Sequence, residues 1–162
     1  MGAGKSSVGK LLAGQLRLPF YDTDSYVEES ARRSIDSFFP ADEAGFRRLE
    51  EDAVAELVAR GPAVIALGGG ALMNARTLEL LRTHALLVHL HVPWEVVRTY
   101  LPPLMESRPL LRGRSLEQVQ RLYEARLETY RMAELQVTVG RDSPTAAAAA
   151  VIAALEKHQA GV

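Results

Sequence analysis

The chain contains no cysteine, so it has no disulfide framework, no thiolate nucleophile and no cysteine-based zinc site. That absence fits a reducing compartment, and a cytoplasmic protein is expected. Charge of one sign is lacking too: 19 basic and 20 acidic residues leave a formal charge of -1. No global field therefore recruits nucleic acid or an anionic membrane, and any anion site must be local. Long hydrophobic runs are missing, since none approaches the roughly 20 residues of a membrane span. The first ten residues, MGAGKSSVGK, lack the apolar stretch of a signal peptide. No internal repeat is visible.

What remains is one domain's worth of chain: 162 residues, 48% hydrophobic, enough to bury a core. Helical and strand patterns alternate along it. Helical spacing covers about Lys5 to Leu16, Ser25 to Ala31, Phe46 to Arg60, Asn74 to Arg82 and Trp94 to about Leu101. Strands are expected around Pro19 to Tyr21, Ala63 to Leu67, Leu86 to Val92 and Leu135 to Val139. The continuous apolar character of the longer strands suits a parallel sheet covered on both faces. Pro102-Pro103 reads as a break, followed by a charged segment from Glu106 to Ser115, a helix to about Met132 and a last helix starting near Pro144. The whole reads as an α/β protein in three layers, a parallel sheet flanked by helices.

Gly2, Ala3, Gly4, Lys5, Ser6 and Ser7 match the second half of GxxxxGK[ST], the loop whose backbone N–H groups cradle phosphates at a helix N-terminus. Its glycines let the backbone wrap an anion, Lys5 adds a point charge between the β- and γ-phosphates, and the Ser6 hydroxyl can ligate Mg²⁺. The motif's first glycine would fall before Met1, and the strand that normally precedes such a loop, the centre of the sheet, is absent from the sequence. Either upstream residues are lacking here, which is the expectation, or the fold does without that strand and leaves two neighbouring strands unpaired.

Phe20 to Asp24 places two carboxylates, Asp22 and Asp24, at the end of a strand and alternate residues apart. Asp22 suits a water-mediated Mg²⁺ ligand, and Asp24 can accept a hydrogen bond or a proton from an attacking hydroxyl. The competing role for Asp24 is a helix cap.

Further signals are Phe46-Arg47-Arg48-Leu49-Glu50, Gly68-Gly69-Gly70, Arg108-Pro109-Leu110-Leu111 and the stretch Arg126 to Tyr130. Taken in order with the phosphate loop and the DxD, these resemble the signature of the shikimate kinases, P-loop kinases of a small hydroxy acid, over essentially the whole chain. The resemblance implies a P-loop kinase fold and a single domain over 1–162, with an acceptor-binding segment at about 23–50 and a lid at about 102–116. It implies that Mg-ATP phosphorylates the 3-hydroxyl of shikimate, with Lys5, Asp24 and Arg108 as the catalytic groups.

By the same resemblance, Arg47 and Arg126 hold the acceptor's carboxylate, Gly69 and Gly70 contact the acceptor, and Glu50 orients Arg47. A guanidinium suits a carboxylate because it offers two parallel donors; the plainer role for Arg47 is pairing along its helix, for instance with Glu51. A triple glycine after a buried strand buries nothing and costs entropy, so close approach to a ligand or a plain turn are its two readings. Arg108 would act on the transferring phosphate and also touch the nucleotide, as an arginine finger supplied in cis. Arg112 and Arg114 read as solvated lid charges, and Arg98 with the turn Arg141 to Pro144 stands near where the family closes its adenine pocket. The sequence departs from the family's usual pattern by having no glycine in the turn Ala31 to Ser34 or near Asp42. None of the four histidines has metal-ligand spacing; His89 and His91 share a strand without a further ligand. The partners expected are ATP and shikimate, with no nucleic acid or membrane, on a monomer. The alternatives are another small-polyol kinase, such as a gluconate kinase, and an inactive nucleotide-binding relative.

Overall fold

A computed structural model describes residues 2–108, 110–140 and 143–161. Helix α1 (Lys5–Leu16) springs from the Gly-rich turn: Gly2 and Gly4 have φ of 59° and 68°, the left-handed region open to glycine without penalty. Strand β1 (Phe20–Asp22) leads without a loop into α2 (Thr23–Ala31), because the Asp22 carboxylate accepts from the N–H groups of Asp24 and Ser25. A short 3-10 turn at Ile35–Phe38 precedes α3 (Glu43–Ala59), which Asp42 caps by accepting from the Gly45 N–H. Then come β2 (Val64–Ala66), a 3-10 turn at Ala71–Met73, α4 (Ala75–His84) and β3 (Val88–His91).

The chain continues through α5 (Trp94–Val97), a 3-10 turn, α6 (Leu101–Ser107), α7 (Leu116–Tyr130), β4 (Leu135–Thr138) and α8 (Pro144–Ala160). Ser115 and Gln118 form a reciprocal capping box at the start of α7. The proline pair does not break the chain as expected. Pro102 and Pro103 occupy the first turn of α6, where a missing N–H costs nothing.

The strands pair in parallel, as expected, but in two separate ladders. β1 pairs with β2 in the register Phe20 to Val64 through Asp22 to Ala66, and β3 pairs with β4 from Val88 to Leu135 through His91 to Thr138. Among the described residues no ladder joins β2 to β3, so the strands form two separate two-stranded sheets. Side chains span the division. Val64 from β2 and Val88 and Leu90 from β3 pack on the same apolar cluster, built on Val8 and Leu12 of α1, Val97, Val119 and Val151 of α8. Fully burying one such aliphatic side chain is worth about 1.5–3 kcal/mol, so the layer holds together across the gap.

A second cluster of Val54, Leu81 and Leu87 seats α3 and α4. A third, with Val27, Phe38, Phe46 and Ala53, fixes α2 and the 35–38 turn against α3. The start of α1, the end of β1 and the glycine loop after β2 meet at one end of the molecule.

Candidate active site

The phosphate loop and the DxD segment touch directly. Ser6 at the start of α1 donates its hydroxyl hydrogen to Asp22 Oδ2 at 2.5 Å, while Asp22 Oδ1 caps α2 at 3.1 and 3.3 Å. Capping thus falls to Asp22, and Asp24, one residue into α2, is left free of that duty. Asp24 faces the glycine loop: a Cβ on Gly68 would lie 2.5 Å from Asp24 Oδ1 and 2.6 Å from Glu50 Oε1. The loop is glycine because carboxylates occupy the space of any side chain.

The next two glycines face cations. A Cβ on Gly69 would lie 3.2 Å from Arg126 Nη1, and one on Gly70 would collide with the Arg47 guanidinium. Arg47 stays in place through two hydrogen bonds, to Glu50 at 2.7 Å and to Glu43 at 3.2 Å. Glu50 is 3% exposed, which makes the Arg47 pairing its main compensation for burial. The plainer role, pairing along the helix, falls to Glu43 and Glu50 rather than Glu51, which accepts from Asn74 and lies near Arg76. The 2.7 Å hydrogen bond to Glu50 fixes one edge of the Arg47 guanidinium.

Two further hydroxyls hold the loop. The Gly68 N–H donates to Thr23 Oγ1 at 2.7 Å, and Tyr130 donates to the Gly69 carbonyl at 2.6 Å. Neither was singled out from the sequence. Thr23 sits between the two aspartates and Tyr130 lies one helical turn beyond Arg126, so the only signal was their place inside motifs read for their charges.

The electrostatics are those of a water-poor cleft. Burial, and then the Arg108 charge, lower the Lys5 pKa against the pull of Asp24 and Asp22. Burial and the neighbouring Asp22 raise that of Asp24, with Lys5 and Arg108 opposing. Burial likewise raises Glu50, against Arg47. Arg126 is pushed down chiefly by burial, with Arg47 and Arg108 adding repulsion, and its Nε is buried without a hydrogen-bond partner. An unpartnered guanidinium edge beside a backbone loop suits a carboxylate ligand. Cations thus converge on one cleft from α1, α3, α7 and the turn after α6.

A divalent cation fits the Ser6 and Asp22 pair in kind. One hydroxyl and one carboxylate are hard oxygen donors, too few for a protein cage and suited to Mg²⁺, which takes most of its ligands from phosphate and water. Among the described residues no group of three His, Cys, Asp or Glu is placed to hold a metal. His89 and His91 stack edge to face at 5.4 Å, with His89 also 5.2 Å from the Tyr130 ring.

The structure thus brings Lys5, Ser6, Asp22, Asp24, Arg47, Gly69, Gly70 and Arg126 together, with Arg108 close enough to bias Lys5 and Asp24. Gly2 packs against Tyr100 of the 98–100 turn and Leu104 of α6, Gly4 caps α1, and Ala3 and Ser7 flank them in the loop. Arg48 and Arg114 are exposed, and Arg98 pairs with Glu95 at 2.9 Å on the surface. Pro109 of the RPLL run and Arg141-Asp142 of the expected adenine turn lie outside the described residues.

A parallel α/β scaffold with a glycine-rich turn opening a helix, a lysine and an acidic pair defines a P-loop phosphotransferase, a kinase of the three-layer class. A family profile described as shikimate kinase matches residues 1–156. The chain is 38% identical to the shikimate kinase of Caulobacter vibrioides, covering 99% of this chain and 80% of that protein. It is 34% identical to that of Mesorhizobium japonicum, covering 98% and 78%. Among solved structures, shikimate kinase from Acinetobacter baumannii in complex with shikimate superposes with a TM-score of 0.88 at 30% identity, over 98% of this chain and 89% of that one. The Aquifex aeolicus enzyme gives 0.85 at 31%, over 100% and 95%. The chain belongs to the shikimate kinase family.

Proposed function

We propose that this chain transfers the γ-phosphoryl group of ATP to the 3-hydroxyl of shikimate, giving ADP and shikimate 3-phosphate. The observation that carries the reading is the convergence of Asp24, Arg47 and Arg126 on the glycine loop beside the N-terminus of α1: a hydroxyl acceptor, two carboxylate-directed guanidinia and a phosphate cradle in one cleft. Arg47 and Arg126, whose buried Nε lacks a hydrogen-bond partner, hold the acceptor's carboxylate, and Gly69 and Gly70 let its ring lie against backbone. Asp24 orients the attacking hydroxyl and takes its proton as the new P–O bond forms and the bond to the ADP oxygen breaks. Residues 2–7 hold the β- and γ-phosphates, and Lys5 and Arg108 offset the charge spread over the transferring oxygens. Mg²⁺, held by Ser6 and through water by Asp22, supplies charge neutralisation of the nucleotide phosphates when bound. Positioning and electrostatics carry the rate.

All the candidate groups come from one chain, so a monomer suffices, and the segments 23–50 and 102–116 act as acceptor platform and lid. No helix among the described residues is long and apolar enough to cross a membrane; with the absence of cysteine, this supports a cytoplasmic place of action.

The test is ADP release in a coupled assay with Mg-ATP and shikimate, gluconate or no acceptor. Shikimate-dependent release that is lost in Arg47→Ala is expected. Release equal in all three arms would overturn the assignment. Absence of release in every arm would point instead to a folded chain that binds nucleotide but does not turn over.

A further inference from the structure

Asp36 and Arg112 lie 76 residues apart in sequence and meet at the surface: Arg112 Nη2 is 3.2 Å from Asp36 Oδ2 and 3.3 Å from the Glu106 carbonyl oxygen. Each belongs to a rigid unit. The Arg108 carbonyl accepts from the N–H groups of Leu111 and Arg112 at 3.0 and 3.1 Å, so Arg108 and Arg112 share one closed turn, and Leu111, 2% exposed, anchors it in the main core cluster. On the other side, the Ile35 N–H donates to Glu28 at 2.9 Å, and Phe38 packs against Phe46, whose neighbour is Arg47. Asp36 therefore rides on the unit that carries Arg47, and Arg112 on the turn that carries Arg108.

We propose that Asp36 and Arg112 are positioning residues for the transfer reaction: their ion pair ties the Arg108 turn to the acceptor platform and so sets where Arg108 stands over the cleft. This rests on the kinase reading above. The pair links two segments seated in different apolar clusters, so its contribution enters the balance between docked and undocked turn directly. Both side chains are more than half exposed, so the effect is small, about 2- to 5-fold in that balance, and is screened by salt. Neither side chain is among those gathered around the glycine loop, which separates the pair from the groups assigned to the reaction.

The test uses Asp36→Asn, Arg112→Gln and the exchanged pair Asp36→Arg with Arg112→Asp in the full chain. At low ionic strength each single variant is expected to lower kcat/KM for the acceptor by about 2- to 5-fold, with recovery in the exchanged pair and convergence of all forms at about 1 M NaCl. Single variants equal to the parent, or an exchanged pair no better than them, would overturn the proposal.

Trypsin supplies a readout independent of turnover. Arg112–Gly113 and Arg114–Ser115 are cleavable bonds of this turn, and cleavage of the ligand-free Asp36→Asn variant is expected about 2- to 5-fold faster than in the parent. Unchanged cleavage overturns the contact. Faster cleavage in a protein that shows no acceptor-dependent turnover supports the contact and sinks the kinase reading instead.

Discussion

The hydroxyl of Tyr130 donates a 2.6 Å hydrogen bond to the carbonyl of Gly69, which makes α7 the support of the glycine loop as well as the source of Arg126. Burial raises the phenol pKa, so the group stays protonated and able to donate through the neutral range. Tyr130→Phe removes one donor and leaves a half-buried carbonyl unsatisfied, a loss of about 1 kcal/mol in stability. In the proposed function the loop it holds also carries the acceptor contact. We expect a 3- to 10-fold rise in acceptor KM, on the order of the same loss in binding, with the KM for ATP little changed. Urea denaturation and initial-rate kinetics measure the two separately.

Asp24 makes the activity depend on pH from an unusual place. Its carboxyl pKa lies above the ordinary 3.8 because of burial and then the Asp22 charge. In the proposed mechanism the ionised form takes the acceptor's hydroxyl hydrogen, so kcat/KM should fall as pH drops through that raised value. The limb should sit above the ordinary carboxylate range and be absent from the residual activity of Asp24→Asn. Stability runs the other way. A folded pKa above the unfolded one means that the native state binds the proton more tightly, so stability declines as pH rises from about 4 through the folded value. Asp24→Asn should therefore be more stable than the parent at pH 7, with the advantage vanishing below pH 4, as thermal melts across pH would show.

Much of the site was legible because its residue types have few alternative uses. Two acids after a short strand, a lysine after glycine at a helix start and a triple glycine after a buried strand all pointed to one end of the sheet. The assignment of Glu50 to Arg47 also emerges in the structure, since i,i+3 spacing puts them side by side. Thr23 and Tyr130 escaped notice because a hydroxyl's partner is fixed by tertiary placement: Gly68 is 45 residues from Thr23 and Gly69 is 61 from Tyr130. The proline pair reads as a stop in the sequence but opens α6 in the structure, for a related reason. Proline forbids a helix interior and favours its first turn, and only the turn at Arg98–Tyr100 shows which applies.

Arg47 has two jobs that a single substitution confuses. It is poised for the acceptor, and it also compensates the buried Glu50 carboxylate. Arg47→Ala should cost roughly 1–3 kcal/mol of stability by leaving that charge without its cation. Adding Glu50→Gln should restore most of the loss, because a neutral amide is less costly to bury. It should not restore the acceptor KM. Recovery of both in the double variant would show that Arg47 acts only as Glu50's partner and never meets substrate.

The turn after α2 offers a stability gain with no functional part. Arg32 closes that helix at φ 51° and ψ 35°, a left-handed conformation in which its N–H reaches the Glu28 and Glu29 carbonyls. A Cβ there crowds the backbone, which is why glycine dominates this position at helix ends. Arg32→Gly removes the crowding, while the greater freedom of glycine in the unfolded chain offsets part of the gain. A net stabilisation of about 0.5–1 kcal/mol is expected, read as a higher urea midpoint with an unchanged m-value. Arg32 is exposed and forms no part of the cleft, so kcat and both KM values should stay at parental levels. A lower midpoint would mean that the arginine makes a compensating contact elsewhere and that the left-handed turn is not strained.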